Sequence, residues 1–317
     1  MTVLPIGQDE LGQWSDEVAR AGDAASWSVT GDRSRPHLAA GSIWRTNASR
    51  DASLPVVAGV FRCTVLPHGW RGVGRLNGQM VLVGGWGPSW PHVSHSEIWT
   101  SSDGQGWNRL PDAPRGGRST HHTVVFQNRM WVMAGQEISF VDEAENEVLY
   151  NDVWSSADGR EWRLETGEAA WSPRGQIGGS VVFDDRMWII GGGTYDNRRY
   201  YSDIWSSGDG VNWTLELAEA PWTPRQYHET VVFDDKMWVI GGWSMEGNLN
   251  DVWFSEDDVT WTELVDAPWP SRHAAAVFVH REALWLVAGD LWNDVWRLGP
   301  TSAGSQGAAD LSLTVSE

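Results

Sequence analysis

The chain has little of several residue types, and each shortage excludes a class of protein. Of its 317 residues only Cys63 is a cysteine, so an intrachain disulfide and a cysteine-based zinc site are excluded. Lys236 is the only lysine, and Lys and Arg together number 23 against 42 Asp and Glu, a net charge of −19. Such an acidic body repels nucleic acid and anionic membrane, so neither is a predicted partner.

Long apolar segments are also missing. No apolar run reaches the roughly 18 residues of a membrane helix. The first residues, MTVLPIGQDELGQW, have neither the basic start nor the apolar stretch of a signal peptide. From these two observations we expect a cytoplasmic protein.

Tryptophan is abundant instead, with 24 residues, and it marks an internal repeat. An apolar pattern that ends in two glycines, as in VVFDDKMWVIGG, recurs along the chain, and a second signature such as DVWSSADGREW follows each copy. The first tryptophan of the second signature recurs at Trp99, Trp154, Trp205, Trp253 and Trp296. The spacings of 55, 51, 48 and 43 residues indicate a four-stranded propeller blade rather than a helical repeat.

These motifs resemble the kelch repeat, which has a double glycine after an apolar strand and then a spaced aromatic pair. The pairs here are Gly84-Gly85, Gly191-Gly192 and Gly241-Gly242, and the similar stretch runs from about residue 69 to residue 298. The resemblance implies an all-β propeller. Bacterial N-acetylneuraminate epimerase and the propeller of galactose oxidase have similar blades. Similarity to the epimerase implies acid–base isomerisation without a cofactor, with arginine holding the acid group of the substrate.

The repeat predicts one propeller domain over residues 1–298, with a flexible tail at 299–317. Five clear blades are expected, and a degenerate blade at 28–67 makes six, with five as the alternative count. The last blade is one strand short, and we expect residues 13–18 to complete it and close the ring, with Leu311–Val315 as the rival strand. The boundaries of the five clear blades are 69–112, 113–171, 172–222, 223–269 and 270–298.

One face of the propeller is predicted to carry the site. The loops between the second and third strands are long and unlike one another, and the same face holds the entrances to the inner strands. Variable loops on a rigid scaffold are the usual place for binding sites. The Ser-x-Asp-Gly-x-x-Trp segments resemble a sialidase Asp box, but we interpret them as tight turns.

Positions that repeat between blades serve the blade, whereas positions that break the repeat are free to serve function. On this argument the inner-strand entrances supply acid and base groups. An arginine pair can clamp a carboxylate or phosphate, and tryptophans after the double glycine can stack on a ring. The predicted catalytic residues are Tyr227, His228, Glu229, His121 and His122. The predicted ligand-binding residues are Arg118, Arg225, Arg272, Trp86, Trp243, Gln176 and Tyr195, and Asp290 is a further candidate.

Three functions follow from these residues. The first is a cofactor-independent small-molecule enzyme or binder that acts on an anionic, sugar-like or aromatic metabolite, by isomerase-, epimerase- or lyase-like acid–base chemistry or as a biosynthetic tailoring enzyme. The second is a non-catalytic scaffold that holds a protein partner on the loop face. The third is a metal-dependent enzyme in which His121, His122, His228 and Glu229 bind the ion.

Overall fold

The computed structural model describes residues 2–5, 72–86, 92–141, 144–175, 179–194, 199–265, 267–280, 282–290, 292 and 294–299. In these residues every regular element is a β-strand, numbered along the chain. No helix in this part of the chain has the length and apolar character needed to span a membrane. The prediction of an all-β fold is therefore confirmed.

Five four-stranded antiparallel sheets form the blades. Blade 1 consists of β2 (Gly72–Leu76), β3 (Gln79–Val83), β5 (Ile98–Ser101) and β6 (Asn108–Leu110). Blade 2 consists of β7 (His122–Phe126), β8 (Arg129–Met133), β11 (Val153–Ser156) and β12 (Arg163–Thr166). Blade 3 consists of β13 (Ser180–Phe183), β14 (Arg186–Gly193), β15 (Tyr200–Ser207) and β16 (Thr214–Leu217). Blade 4 consists of β17 (Glu229–Phe233), β18 (Lys236–Ser244), β19 (Gly247–Ser255) and β20 (Thr262–Glu263).

Blade 5 takes its outer strand from the start of the chain. It consists of β21 (Ala276–His280), β22 (Ala283–Val287), β23 (Val295–Gly299) and β1 (Thr2–Pro5). Thr2 pairs with Gly299 and Pro5 with Trp296 in an antiparallel register. The strand beside β23 is therefore β1 and not residues 13–18, which lie outside the described residues, as does the rival strand at 311–315. The closure of the ring by residues 13–18 is not confirmed.

The blades pack side by side through their inner strands, in the series β2, β7, β13, β17 and β21. This arrangement is a β-propeller, as predicted. The described residues hold five blades and not the predicted six, and the segment 28–67, expected to be a degenerate blade, lies outside them.

Buried side chains fill the boundaries between blades. Between blades 3 and 4, for example, Val181, Trp188 and Ile190 pack with Met237 and Val239 in one apolar cluster. Each blade alternates its strand residues between two such boundaries, because successive side chains of a strand point to opposite faces. The repeat of VVF and MWV is therefore a repeat of core positions.

The Ser-x-Asp-Gly-x-x-Trp segments are tight turns, as interpreted from the sequence. In blade 3 the hydroxyl of Ser207 accepts a hydrogen bond from the Gly210 amide at 2.8 Å, and the Asp209 carboxylate accepts from the Val211 and Asn212 amides. Trp213 Nε1 donates to the Gly210 carbonyl at 3.2 Å. The Asp side chain is thus occupied by the turn itself.

A sixth sheet lies on the loop face. The predicted long loop of blade 2 folds as a hairpin of β9 (Gln136–Val141) and β10 (Ala144–Leu149), and β9 also pairs with β4 (His92–Val93) from the loop of blade 1. The loops of these two blades are therefore joined by backbone hydrogen bonds.

Candidate active site

Two sets of positions face each other where the inner strands begin. We call the residue directly after the repeated arginine the entrance residue. The exit residue is the one directly after the glycine pair, or after the Ala-Gly pair that replaces it in blades 2 and 5. In blades 2 to 5 the backbones of the entrance and exit residues form hydrogen bonds to each other at 2.7 to 3.1 Å. The entrance–exit pairs are Ser119 with Gln136, Gly175 with Gly193, Gln226 with Trp243, and His273 with Asp290. The side chains at the entrance and exit positions differ in every blade, so these positions can vary without disrupting the blade fold.

Blade 5 contributes a histidine that is held by a relay of polar groups. The ring atom Nδ1 of His273 lies 2.6 Å from Oδ1 of Asn248, and Nδ2 of Asn248 donates a hydrogen bond to Oδ2 of Asp290. The amide oxygen of Asn248 accepts only, so Nδ1 of His273 carries the proton. The other ring nitrogen, Nε2, then has a lone pair, and it has no hydrogen-bond partner among the described residues.

Two aromatic side chains from blade 4 enclose the same ring. Tyr227 meets His273 at a ring-centroid distance of 5.4 Å, and Trp243 meets it at 5.3 Å, both edge to face. Trp243 is 37% exposed, so part of its face is open to solvent. Tyr227, Trp243, Asn248, His273 and Asp290 are called the His273 cluster below, and they lie at the boundary of blades 4 and 5.

The surroundings keep His273 neutral near pH 7. Burial lowers its pKa from the ordinary 6.5, and the charge of Asp290 opposes this effect only in part. The side chain remains 22% exposed. A neutral imidazole with a fixed Nδ1 proton and a partly accessible Nε2 is the arrangement of a general base.

The predicted arginine clamp is contradicted by the contacts of its members. Arg118, Arg225 and Arg272 are at most 1% exposed, and each guanidinium forms a two-pronged ion pair with an aspartate of its own blade. The partners are Asp152, Asp251 and Asp294, and Arg174 pairs with Asp203 in the same way. These arginines anchor the blade and offer no fork to a ligand.

Two of the predicted catalytic histidines are also packed into the blades. His228 is fully buried, and a Cβ placed on Gly179 or Gly242 would stand 2.7 Å from its Nε2 or 2.8 Å from its Cβ. His121 lies in the same way against Gly84 and Gly135. Burial lowers the pKa of His121 well below its ordinary value. The glycine pairs thus leave room for a histidine between neighbouring blades, which argues against a catalytic role for either one.

His122 and Glu229 occupy the first position of β7 and β17, and both are 3% exposed. In the part of the chain that the structure describes, no three His, Cys, Asp or Glu side chains are grouped so as to hold a metal ion. The predicted histidine cluster is therefore not formed. The catalytic role of His122 and Glu229 stays a prediction.

Of the predicted stacking residues, Trp243 joins the His273 cluster, whereas Trp86 is half-buried and pairs with Ser94 in an isolated bridge. Gln176 and Tyr195 lie outside the described residues. His273 and Asn248 were missed by the sequence analysis. His273 stands directly after Arg272, at a position where the blades differ. The argument from residues that break the repeat would have found it, had it been applied to the first residue after the arginine as well as to the second.

Comparison with known proteins supports the fold. Residues 224–253 match the family model of the Kelch motif. A solved structure titled "Structure of YjhT" superposes with a TM-score of 0.56 and 14% identity, over 72% of this chain and 80% of that one. At this identity the likeness concerns the fold alone. No curated protein matches the chain.

Proposed function

The chain is a kelch-repeat β-propeller, and we propose that it is a small-molecule enzyme which transfers a proton with His273 at the boundary of blades 4 and 5. The observation that carries the proposal is the relay from His273 through Asn248 to Asp290. It fixes the tautomer of the imidazole and leaves Nε2 as the basic atom. A base oriented by a third group is the usual arrangement of an acid–base site.

The substrate we propose is sugar-like or aromatic. Tyr227 and Trp243 place two aromatic rings beside His273, and Trp243 is 37% exposed, so its ring can stack on the face of a sugar or an aromatic ring. We do not propose the anionic substrate expected from the sequence for this site. The arginines that were predicted to bind the anion are paired with aspartates.

The proposed reaction is the removal and return of a proton on carbon, as in an isomerisation or epimerisation. Nε2 of His273 accepts the proton from the substrate, and the phenol of Tyr227 is the proposed donor of a proton to the product. Asp290 stabilises the imidazolium that forms, because its charge favours the protonated ring. Both steps conserve charge, and exchange of protons with water then returns His273 to the neutral ring and Tyr227 to the phenol. We keep the cytoplasm as the proposed location.

The test is a ligand screen followed by an exchange measurement. Thermal shift with neutral sugars, sugar acids and indoles identifies a ligand, and proton NMR in D2O then shows whether the protein exchanges a carbon-bound proton of that ligand for deuterium. We expect exchange with the wild type, and a loss of at least 100-fold in His273→Gln, since general acid–base catalysis contributes roughly 100- to 10,000-fold. His280→Gln, at the opposite end of β21, is the matched control and should keep the full rate. Exchange that survives in His273→Gln would exclude His273 as the base.

A protein-binding scaffold is the second candidate, and exposed apolar side chains on the loop face favour it. Trp243, Met245 and Trp292 are 37%, 62% and 45% exposed. Large exposed apolar groups that share a face often mark an interaction surface. A partner that binds the wild type and His273→Gln equally, but binds Trp292→Ala and Met245→Ala weakly, would favour the scaffold.

A further inference from the structure

A buried arginine replaces a repeated tryptophan where blade 1 meets blade 2. Before the anchoring arginines of blades 3, 4 and 5, an alanine and a tryptophan stand five and three residues upstream. Before Arg118 the sequence is Ala113-Pro114-Arg115-Gly116-Gly117, so Arg115 takes the tryptophan position. The tryptophans at this position are Trp171, Trp222 and Trp269.

In the other blades this position is an apolar slot. The three tryptophans are at most 4% exposed, and each packs against a tryptophan of the following blade. Trp171 meets Trp213 at 5.8 Å, and Trp222 meets Trp261 at 4.8 Å, both edge to face. Ala113, which begins the segment, is buried with Ile98 and Leu110 of blade 1 and Val132 of blade 2. Arg115 therefore enters a slot that the fold otherwise fills with an aromatic ring.

The guanidinium of Arg115 has no counter-ion in the described structure. Arg115 is 3% exposed, and none of its three side-chain nitrogens has a hydrogen-bond partner among the described residues. Asp152, which acts on it electrostatically, is held in a two-pronged pair by Arg118. The carboxylate of Glu137 is also engaged elsewhere, because it accepts a hydrogen bond from the hydroxyl of Tyr150 at 2.9 Å.

The charge is nevertheless retained near neutral pH. Burial, followed by the neighbouring charge of Arg118, lowers the pKa of Arg115 to about 9, which is still well above 7. A buried charge without a partner destabilises the folded state. Neither its packing nor its hydrogen bonds explain why an arginine stands here in place of a tryptophan.

We propose that Arg115 forms a binding site for the carboxylate of a small monoanionic molecule at the boundary of blades 1 and 2. A planar guanidinium with all its N–H groups free matches a carboxylate with two parallel hydrogen bonds. A single negative charge neutralises Arg115. A dianion such as phosphate would add a second negative charge beside Asp152 and Glu137 in an acidic protein.

The two glycines that follow support this assignment. The N–H groups of Gly116 and Gly117, the two residues that follow Arg115 in the chain, donate no hydrogen bond to any described residue, so they are available as further donors. A Cβ on Gly117 would stand 2.1 Å from the carbonyl oxygen of Ser94, so the segment runs close against the loop of blade 1. The proposal is independent of the His273 cluster.

The test compares Arg115→Trp, which restores the residue of the other blades, with the wild type. Melting temperatures are measured with sodium formate, sodium acetate and sodium phosphate at an ionic strength held constant with chloride. We expect formate and acetate to stabilise the wild type in a saturable way. Arg115→Trp should melt higher without added anion, and its apparent Kd for acetate should be at least tenfold weaker. Arg163→Trp, at a side chain that is 75% exposed, should respond like the wild type.

Two results would overturn the proposal. One is a wild-type melting temperature that does not respond to either carboxylate beyond the chloride control, and the other is an unchanged response in Arg115→Trp. Tighter binding of phosphate than of acetate would overturn the monoanion assignment. Arg115→Gln, which removes the charge at similar length, gives the same comparison if the tryptophan variant fails to fold, and saturation transfer from 13C-formate measures binding without melting.

Discussion

Arg225 and Asp251 form a two-pronged ion pair that joins the entrance of an inner strand to the third strand of the same blade. Nη1 donates to Oδ1 at 2.6 Å and Nη2 donates to Oδ2 at 2.7 Å, and the Arg225 side chain is fully buried. Nε1 of Trp253 donates to the same carboxylate at 2.8 Å. Equivalent bonds recur in blades 2, 3 and 5, so arginine, aspartate and tryptophan form one repeated unit.

Loss of this arginine should lower stability rather than only ligand binding. Arg225→Ala leaves the Asp251 carboxylate without its counter-charge, and breaking a buried ion pair costs about 3 to 5 kcal/mol. Because Asp251 is 21% exposed, we expect the lower end of that range. Urea unfolding monitored by tryptophan fluorescence measures the change in the free energy of unfolding.

The matched control is an arginine in an exposed ion pair. Arg163 is 75% exposed and pairs with Glu165 at 3.2 Å. Its replacement by alanine should change the free energy of unfolding by less than about 0.5 kcal/mol. If Arg225→Ala were no more destabilising than Arg163→Ala, the anchoring role would be wrong.

The sequence predicts much of the fold because each core position of a blade recurs at the equivalent place in the other blades. The pattern that ends in Gly241-Gly242, for example, locates β18 and its neighbours without any knowledge of long-range contacts. The strand beside β23 could not be found in this way. Thr2–Pro5 shows no copy of the repeat, and it pairs with residues almost 300 positions later in the sequence, a contact that no local pattern encodes.

The candidate site was harder to predict, for a physical reason. Arg225 and Asp251 are 26 residues apart, so nothing local shows that the guanidinium is already paired with a carboxylate. The relay of His273 likewise needs Asn248 and Asp290, which come from different blades. Tyr227 was found because it breaks the repeat and Trp243 because it follows the double glycine, and His273 also breaks the repeat.

Gly210 and Gly78 should respond differently to the same substitution. Both have a positive φ, of 73° and 77°, so alanine at either position costs about 1 to 2 kcal/mol of backbone strain. A Cβ on Gly210 would stand 2.1 Å from the ring of Trp131 in blade 2, whereas a Cβ on Gly78 would meet nothing within 4 Å. We therefore expect Gly210→Ala to cost roughly 1 to 3 kcal/mol more than Gly78→Ala, measured by urea unfolding. Equal losses would show that blades 2 and 3 are not packed through this turn.

The titration of His273 should depend on Asp290. Burial lowers the pKa of His273 below 6.5, and the negative charge of Asp290 raises it. Asp290→Asn removes that charge, so the pKa should fall further and the ring should stay neutral to a lower pH. Proton NMR of the imidazole resonances against pH measures both values. Trp243→Phe leaves the relay intact but reduces the burial of the ring, so it should shift the pKa in the opposite direction, towards 6.5. An unchanged pKa in Asp290→Asn would mean that the two groups are not coupled.

Asp258 stands where three other blades have a glycine, and its replacement by glycine should stabilise the protein. Its φ is 70°, close to those of Gly104, Gly159 and Gly210 in the same turn. Its Oδ1 is buried without a hydrogen-bond partner among the described residues. Relief of the backbone strain alone should raise the free energy of unfolding by roughly 1 kcal/mol at pH 7.5.

The gain in Asp258→Gly should also depend on pH. Burial, and then the charges of Asp184 and Asp257, raise the pKa of Asp258 to about 6. The folded state therefore binds this proton more tightly than the unfolded state, for which the pKa is 3.8. The cost of the charged carboxylate is complete above pH 6 and disappears as the pH falls towards 4, so the advantage of the glycine variant should shrink over that interval.

Urea unfolding at pH 7.5, 6.0 and 4.5 measures this difference. Asn128→Gly, at an exposed turn position with a φ of 56° and no titratable group, reports the backbone effect. If the gain in the free energy of unfolding of Asp258→Gly stays constant with pH, like that of the control, the charge of the Asp258 carboxylate does not destabilise the folded state.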